Sequence, residues 1–333
     1  MATILVTGGA GFIGSASVDE LLARGHRVAV LDDLSGGRRE NLPPGAELWV
    51  ADVGDAEAVR GLFRRLRPEL VLHLAAQISV SRSVREPAAD ARVNVVGLLH
   101  VLEAARETGS RRVVFASSGG VLYGEVERPA VEEQPLAPVS PYGIAKWAGE
   151  RYLEFFAREY GLEGVALRYG NVFGPRQDPH GEAGVVAIFS RRLLAGEPPL
   201  VHGDGENVRD YVYVADVARA NRLALEAEPP RLLPGGGTPF VAFNVGTGRG
   251  TTVNRLVEMM GRALAELTGA RARAPVHGPA RAGDLRSSLL DAGRIERRLG
   301  WRPEVPLEEG LRRTLRWFAE AGGAIAASGG SVL

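Results

Sequence analysis

The glycines at positions 8, 11 and 14 constrain this chain more than any other feature. Thr3-Ile4-Leu5-Val6-Thr7 is a short apolar run that leads straight into Gly8-Gly9-Ala10-Gly11-Phe12-Ile13-Gly14. A helical pattern follows through Val18, Leu21 and Leu22 to Gly25, and Arg27-Val28-Ala29-Val30-Leu31 reads as a second strand ending at Asp32-Asp33. Strand, glycine turn, helix and strand within about 30 residues form a βαβ unit, the context in which such glycines carry meaning. Gly8 permits a tight turn, Gly11 lets backbone amides approach a pyrophosphate at the helix N-terminus, and Gly14 lets helix and strand pack closely. Asp32 stands 18 residues past Gly14, where a carboxylate binds the ribose hydroxyls of an adenosine and repels a 2′-phosphate. The unit therefore predicts NAD rather than NADP, with Arg38 and Arg39 as the counter-argument.

The alternation continues. Glu47-Leu48-Trp49-Val50 predicts a third strand, with Asp52 at its tip. Leu70 to Ala76 predicts a fully apolar fourth, Arg112 to Ser118 a fifth and Gly164 to Tyr169 a sixth, with helices between. A buried parallel strand reads as a continuous apolar run. The pattern is that of an α/β protein with a Rossmann-type doubly wound parallel sheet, whose ligands bind beyond the carboxyl ends of the strands. We expect the NAD-binding domain to span 1–170, with returns at about 211–227 and 240–247. Residues 171–210 and 248–320 form a smaller C-terminal substrate-binding α/β region in this reading, with amphipathic helices at about 185–195, 253–267 and 307–320. Pro198 to Gly205 and Pro229 to Pro239 read as loops and 321–333 as a flexible tail.

Lys146 is the chain's one lysine; the other members of the 40 Lys and Arg are arginines. A solvated charge accepts that exchange, whereas a site that needs a compact ammonium of adjustable pKa does not. Tyr142 precedes Lys146 by one helical turn, so the two share a face. An ammonium beside a phenol favours the phenolate, so the Tyr142 pKa is expected to fall below its usual range.

Composition narrows the function classes. The formal net charge is zero, which argues against nucleic acid as a partner. No run of about 18 apolar residues predicts a membrane span. With no cysteine, thiol chemistry and cysteine-held metals are excluded, and the six histidines show no metal-ligand spacing. A strand starting at Thr3 leaves no room for a signal peptide, so a cytoplasmic enzyme without a metal is expected.

These motifs, with His73-Leu74-Ala75-Ala76, Asn94-Val95-Val96-Gly97, Ser117-Ser118, Tyr123-Gly124, Ser140-Pro141-Tyr142-Gly143, Leu167-Arg168-Tyr169, Asn171 to Arg176, Arg209 to Val214 and Ala282-Gly283-Asp284, identify a resemblance. From Thr3 to about Trp317 the chain resembles the extended short-chain dehydrogenases/reductases of the NAD-dependent nucleotide-sugar epimerase/dehydratase family, and within it the 4-epimerases of UDP-hexoses. The resemblance implies that Tyr142 takes the proton of the sugar 4-hydroxyl while hydride passes from C4 to NAD. The 4-keto sugar then turns over, and hydride returns to its other face. Lys146 would bond the nicotinamide ribose. Implied cofactor contacts are Gly8, Gly11, Phe12, Ile13, Gly14, Asp32, Asp33, Asp52, Val53, Leu74, Ala75, Ala76, Asn94, Ser117, Tyr142, Lys146 and Tyr169. Implied substrate contacts are Ser118, Tyr142, Asn171, Val185, Val186, Arg209, Arg281, Asp284 and Ser288. The two arginines would clamp the diphosphate and Asp284 hold the uridine ribose. Relatives that carry a bulky tyrosine at the position of Ser288 crowd the sugar, so the N-acetylated hexoses are also candidates. A homodimer through helices around 94–107 and 143–160 is implied as well.

One departure stands out. The family's Ser or Thr four residues before Tyr123 is here Gly119, leaving Ser118 as the candidate hydroxyl. Gly120 and Val121 occupy the places where sister dehydratases and decarboxylases carry acid-base residues, which favours simple epimerisation. Another nucleotide-sugar epimerase, reductase or dehydratase is the alternative.

Overall fold

A computed structural model describes residues 1–180, 184–232, 237–281 and 283–328. Gly181, the middle of the Pro229–Pro239 linker, Ala282 and the last five residues lie outside the described residues. The chain begins with β1 (Thr3–Thr7), α1 (Phe12–Ala23), β2 (Arg27–Asp32), β3 (Glu47–Val50), α2 (Ala56–Leu66) and β4 (Leu70–His73). Two short helices, α3 (Val80–Arg85) and α4 (Pro87–Ala91), lead through a π-helical turn at Arg92–Val96 into α5 (Gly97–Thr108). Then come β5 (Arg112–Ser118), the single turn α6 (Gly119–Leu122), α7 (Pro141–Tyr160), β6 (Glu163–Tyr169) and β7 (Asn171–Phe173). The remainder is α8 (Val185–Leu194), β8 (Leu200–His202), β9 (Val208–Tyr213), α9 (Val214–Glu226), α10 (Pro229–Leu232), β10 (Phe240–Val245), β11 (Gly250–Thr252), α11 (Val253–Thr268), β12 (Val276–Gly278), β13 (Ser287–Ser288), α12 (Gly293–Leu299) and α13 (Leu307–Ser328).

Seven strands form the main sheet in the order β10-β6-β5-β4-β1-β2-β3, and every pair is parallel. The chain reverses its direction of winding between β1 and β4, so a crevice opens there at the carboxyl ends of the strands. Alternate residues of the strands feed two apolar layers. Ile4, Val6, Val114 and Leu167 pack with α1, α9 and α12 on one face, and Leu5, Val71, Val113 and Ala166 with α2, α5 and α7 on the other. A third cluster, with Phe189, Val201, Tyr211, Met260 and Leu315, joins α8, α11 and α13 to β9.

Local sequence accounts for the element ends. Asp55 caps α2 by accepting from the amides of Glu57 and Ala58, and Ser140 caps α7 by accepting from Gly143, with Pro141 in the first turn. Helix α7 ends at Gly161, whose φ of 69° few side chains adopt. Fully buried Arg112 donates to the carbonyls of Ala224 and Leu225 in the last turn of α9 and binds Glu163.

Several sequence expectations shift. The fourth strand stops at His73 rather than Ala76, because Leu74 and Ala75 turn to bond Thr7, the first through its amide to the Thr7 carbonyl and the second to its hydroxyl. Pro198 to Gly205, expected as a loop, contains β8, which pairs with β12. The last helix continues past 320 to Ser328.

Candidate active site

The first turn of the chain builds a cradle. Gly8 has φ 68°, and its missing side chain leaves room for the Leu74-Ala75 backbone, which a Cβ would meet at 2.7 Å. At Gly14 a Cβ would lie 2.1 Å from the Gly8 carbonyl oxygen, so helix and turn meet backbone to backbone. Helix α1 starts directly after Gly11 with no side-chain cap and no acidic residue in its first turn. The positive end of its dipole, with the Phe12 and Ile13 amides, is thus free of a protein anion. Asp32, at the end of β2, is buried; Oδ2 accepts from the Ala10 amide and Oδ1 from Leu34, each at 2.9 Å. Burial raises its carboxyl above the ordinary value, against the pull of those two amides. Asp33 is exposed and holds the Ser35 turn. Asp52 is exposed and turns the chain through Gly54, and buried Val53 gives its carbonyl to His100. These residues fit a dinucleotide: a helix end for the pyrophosphate and, one strand over, a carboxylate.

On the other side of the crevice, α7 carries Tyr142 and Lys146. Lys146 is 3% exposed. Its Nζ donates to the Ala116 carbonyl of β5 at 2.9 Å, 4.8 Å from the Phe115 ring centre and 5.7 Å from that of Tyr142. Burial lowers the ammonium to about 8, against an opposing effect of Asp90. The expected depression of Tyr142 is not found. Burial first, then the Asp90 charge, holds the phenol well above its usual range. The reason is geometric: the ammonium is hydrogen-bonded to a carbonyl and stands over the ring, where it does little for the hydroxyl.

Ser118 ends β5 and is partly buried. Gly119 explains the departure from the family pattern. A Cβ there would lie 2.5 Å from Leu290 Cδ2 and 2.6 Å from Cδ1, so no side chain fits while Leu290 fills that space. At Gly120 a Cβ would lie 3.9 Å from the Ser288 hydroxyl and 4.0 Å from that of Ser118, so these two serines border one notch.

Asn94 is buried in the π-helical turn and clamps the loop after β4. Its Oδ1 accepts from the Gln77 amide, and its Nδ2 donates to the Gln77 carbonyl and to Asp90. Leu74, Ala75 and Ala76 form that partly buried loop. Ser117 and Tyr169 have their hydroxyls engaged inside the protein, on Glu150 at 2.6 Å and Asn221 at 2.6 Å. Arg209 bonds Asp284 and, across the β9–β13 pair, lies beside Ser288. Arg281 is exposed, as is Asn171, which pairs with Tyr211 in the β7–β9 register. Val185 is partly buried and Val186 lies in the third cluster.

Two groups at the site escaped sequence reading. Asp90 is 1% exposed and unmarked by any motif. Tyr211 is a buried phenol with no hydrogen-bond partner among the described residues, raised by burial and by Asp284 against the effect of Arg209. Its only sequence signal is the Arg209-Asp210-Tyr211 motif, in which the arginine alone points to a ligand.

Among the described residues no group of three or more acidic or histidine side chains could hold a metal, and no helix is long and apolar enough to cross a membrane. The chain is similar to curated and solved proteins along nearly its whole length. It is 49% identical over 320 residues to UDP-glucose 4-epimerase of Mycolicibacterium smegmatis, covering 94% of this chain and 97% of that one. A crystal structure of UDP-glucose 4-epimerase from Thermotoga maritima with UDP-glucose superposes with TM-score 0.88 at 51% identity, covering 96% of this chain and 99% of that one. The Thermus thermophilus UDP-glucose 4-epimerase complex with NAD gives 0.86 at 48%, with the same coverage. A profile of the NAD dependent epimerase/dehydratase family matches residues 4–246, and the chain belongs to that family.

Proposed function

We propose that this chain inverts C4 of a UDP-hexose, the UDP-glucose/UDP-galactose pair and, through the notch beside Ser288, the N-acetylated pair. The observation that carries the reading is the sole lysine, buried against Tyr142 at the mouth of a parallel sheet whose first turn is a pyrophosphate cradle. Relatives named UDP-glucose 4-epimerase at 49% and 51% identity support the same chemistry.

Gly8, Gly11, Gly14 and the Phe12 and Ile13 amides would hold the pyrophosphate of NAD, and Asp32 its adenosine ribose. When bound, NAD would supply the acceptor and donor for the C4 hydride. Tyr142 takes the proton of the 4-hydroxyl at its phenol oxygen and gives it back after the keto sugar has turned, which is general acid-base catalysis. Lys146, over the Tyr142 ring, adds positive charge to the site. Ser118 supplies the hydroxyl that Leu290 bars from position 119, and Ser288 borders the sugar. Asp284 and Arg209 meet the nucleotide, the Arg209–Asp284 pair opening for the diphosphate and ribose, with Arg281 joining from the exposed loop. Inversion needs no acid-base residue at 120 or 121, and glycine and valine stand there.

The protein works in the cytoplasm as a homodimer in this reading. Ile144, Trp147, Tyr152 and Phe155 form an exposed apolar stripe on α7, each at least 40% exposed. The deciding assay is product analysis with UDP-galactose and with UDP-N-acetylgalactosamine, with NAD added. We expect the gluco epimers without net NADH, and loss of turnover with retained NAD in Tyr142→Phe. Net NADH, a released keto sugar or an active Tyr142→Phe variant would overturn the reading.

A further inference from the structure

Asp90 sits on α4, which packs against α7, and is almost wholly buried. Its Oδ1 accepts from Gln77 Nε2 at 2.8 Å and from Asn94 Nδ2 at 2.9 Å. Its Oδ2 has no hydrogen-bond partner among the described residues. Lys146 presents the complementary problem: a buried ammonium bonded to one carbonyl, with no carboxylate in contact among the described residues. Isolated charges of either sign are costly in such surroundings unless they balance one another.

The neighbouring charges leave Asp90 alone for that task. On α7, Glu150 is one turn beyond Lys146, but both its oxygens are taken by Arg168, and one also by Ser117. On β4, His73 is buried, bonded to Thr7 and pushed down to about 3, first by burial and then by Lys146, so it is neutral. On α3, Arg82 and Arg85 are exposed, with bonds to Glu86 and Ser81, and Arg92 in the π-helical turn is exposed too. Tyr142 is uncharged until it acts. The Asp90 charge favours the protonated form of Lys146 and also of Tyr142.

We infer that Asp90 is a positioning residue acting through charge: it is the buried counter-ion of Lys146 and keeps that side chain an ammonium beside Tyr142. The same carboxylate makes the phenolate harder to form. Its net value is that an ammonium, not an amine, stands over Tyr142. The importance of this for turnover rests on the epimerase reading above, whereas the charge pairing itself does not.

The single lysine makes the test direct. In protein grown with 13C-lysine, the side-chain carbon next to nitrogen reports Lys146 alone, so its titration can be followed without cofactor or substrate. Asp90→Asn keeps the oxygen that serves Gln77 and Asn94 and replaces only the one without a partner. We expect a wild-type midpoint of about 8 and a lower one in Asp90→Asn, the direction expected when a buried opposite charge is lost. Asp90→Ser, which retains an acceptor without charge, is the second variant if the first does not fold. An unchanged or raised midpoint in whichever variant folds overturns the inference. A lowered midpoint alongside an active Tyr142→Phe variant would sink the epimerase chemistry and leave the pairing standing.

Discussion

Lys146 is held where it works rather than where it is stable. Its pKa in the folded chain, about 8, lies below the ordinary lysine value of 10.5. The unfolded chain therefore binds more protons between those two pH values, and stability rises with pH through that window. Replacing Lys146 with methionine, of similar volume and no charge, is expected to abolish turnover. It should also remove the rise of stability between pH 8 and 10.5, so that the wild type gains about 3 kcal/mol on the variant across that window. Denaturant melts of both proteins across that range check this; an equal loss of stability at every pH would contradict it. Gly119 gives a second residue-scale case. Gly119→Ser should cost about 1–3 kcal/mol by overpacking against Leu290, and Gly119→Ser with Leu290→Ala should recover much of that. If the double variant melts below both singles, the pair is not complementary. At this scale the sequence showed residues whose type is rare or whose spacing is fixed, such as the glycines, Tyr142 and Lys146. It could not show Asp90, because an aspartate in a short helix looks the same buried or solvated. Nor could it show that Leu290, more than 170 positions away, fills the space at Gly119.

Elements meet at the site through one buried polar network. Arg168 on β6 binds Glu150 on α7 through two bonds, at 2.9 and 2.6 Å, and donates to the Tyr123 hydroxyl at 2.7 Å. Ser117 on β5 donates to the same Glu150. The Tyr123 hydroxyl donates in turn to Oδ1 of Asn244 on β10. This network ties α7, which carries Tyr142 and Lys146, to β5 and β6. Removing one member leaves a buried guanidinium without its anion, which costs about 3–5 kcal/mol. Glu150→Ala should lower stability by that amount, read as a denaturant midpoint shift, while Glu154→Ala, at an exposed ion pair on the same helix, should cost less than about 1 kcal/mol. Equal costs for the two would mean that the network does not anchor the helix. The helices and strands themselves were legible because apolar runs and caps are local signals. The break of the Asn94 region into α3, α4, a π-helical turn and α5 was not, since it follows from side chains that reach back to Gln77.

The main sheet was legible as a whole because strands buried on both faces are apolar throughout, and alternation with helices leaves few topologies. The pairings of β7, β9, β11 and β13, and of β8 with β12, were not legible, since strands of two to six residues joined by Gly- and Pro-rich loops carry no periodicity of their own. Assembly belongs to this scale. The α7 face that carries Ile144, Trp147, Tyr152 and Phe155 is apolar and exposed, and Val96, where the π-helical turn meets α5, is exposed at 40%. Such a face on a helix of 20 residues, about 30 Å long, marks an interaction surface rather than a solvated one. Two copies related by a two-fold axis would bury it against itself, since a two-fold interface presents the same patch from both sides. Helix α7 also carries Tyr142 and Lys146, so loosening this face should loosen the site. Sedimentation of the wild type is expected to give twice the 35.5 kDa chain mass. Trp147→Glu with Phe155→Glu should give the single mass, with turnover reduced more than NAD binding, because the glycine cradle lies across the sheet from α7. A wild type that sediments at 35.5 kDa at micromolar concentration would assign the stripe to another partner, and a monomeric variant of full activity would separate assembly from catalysis.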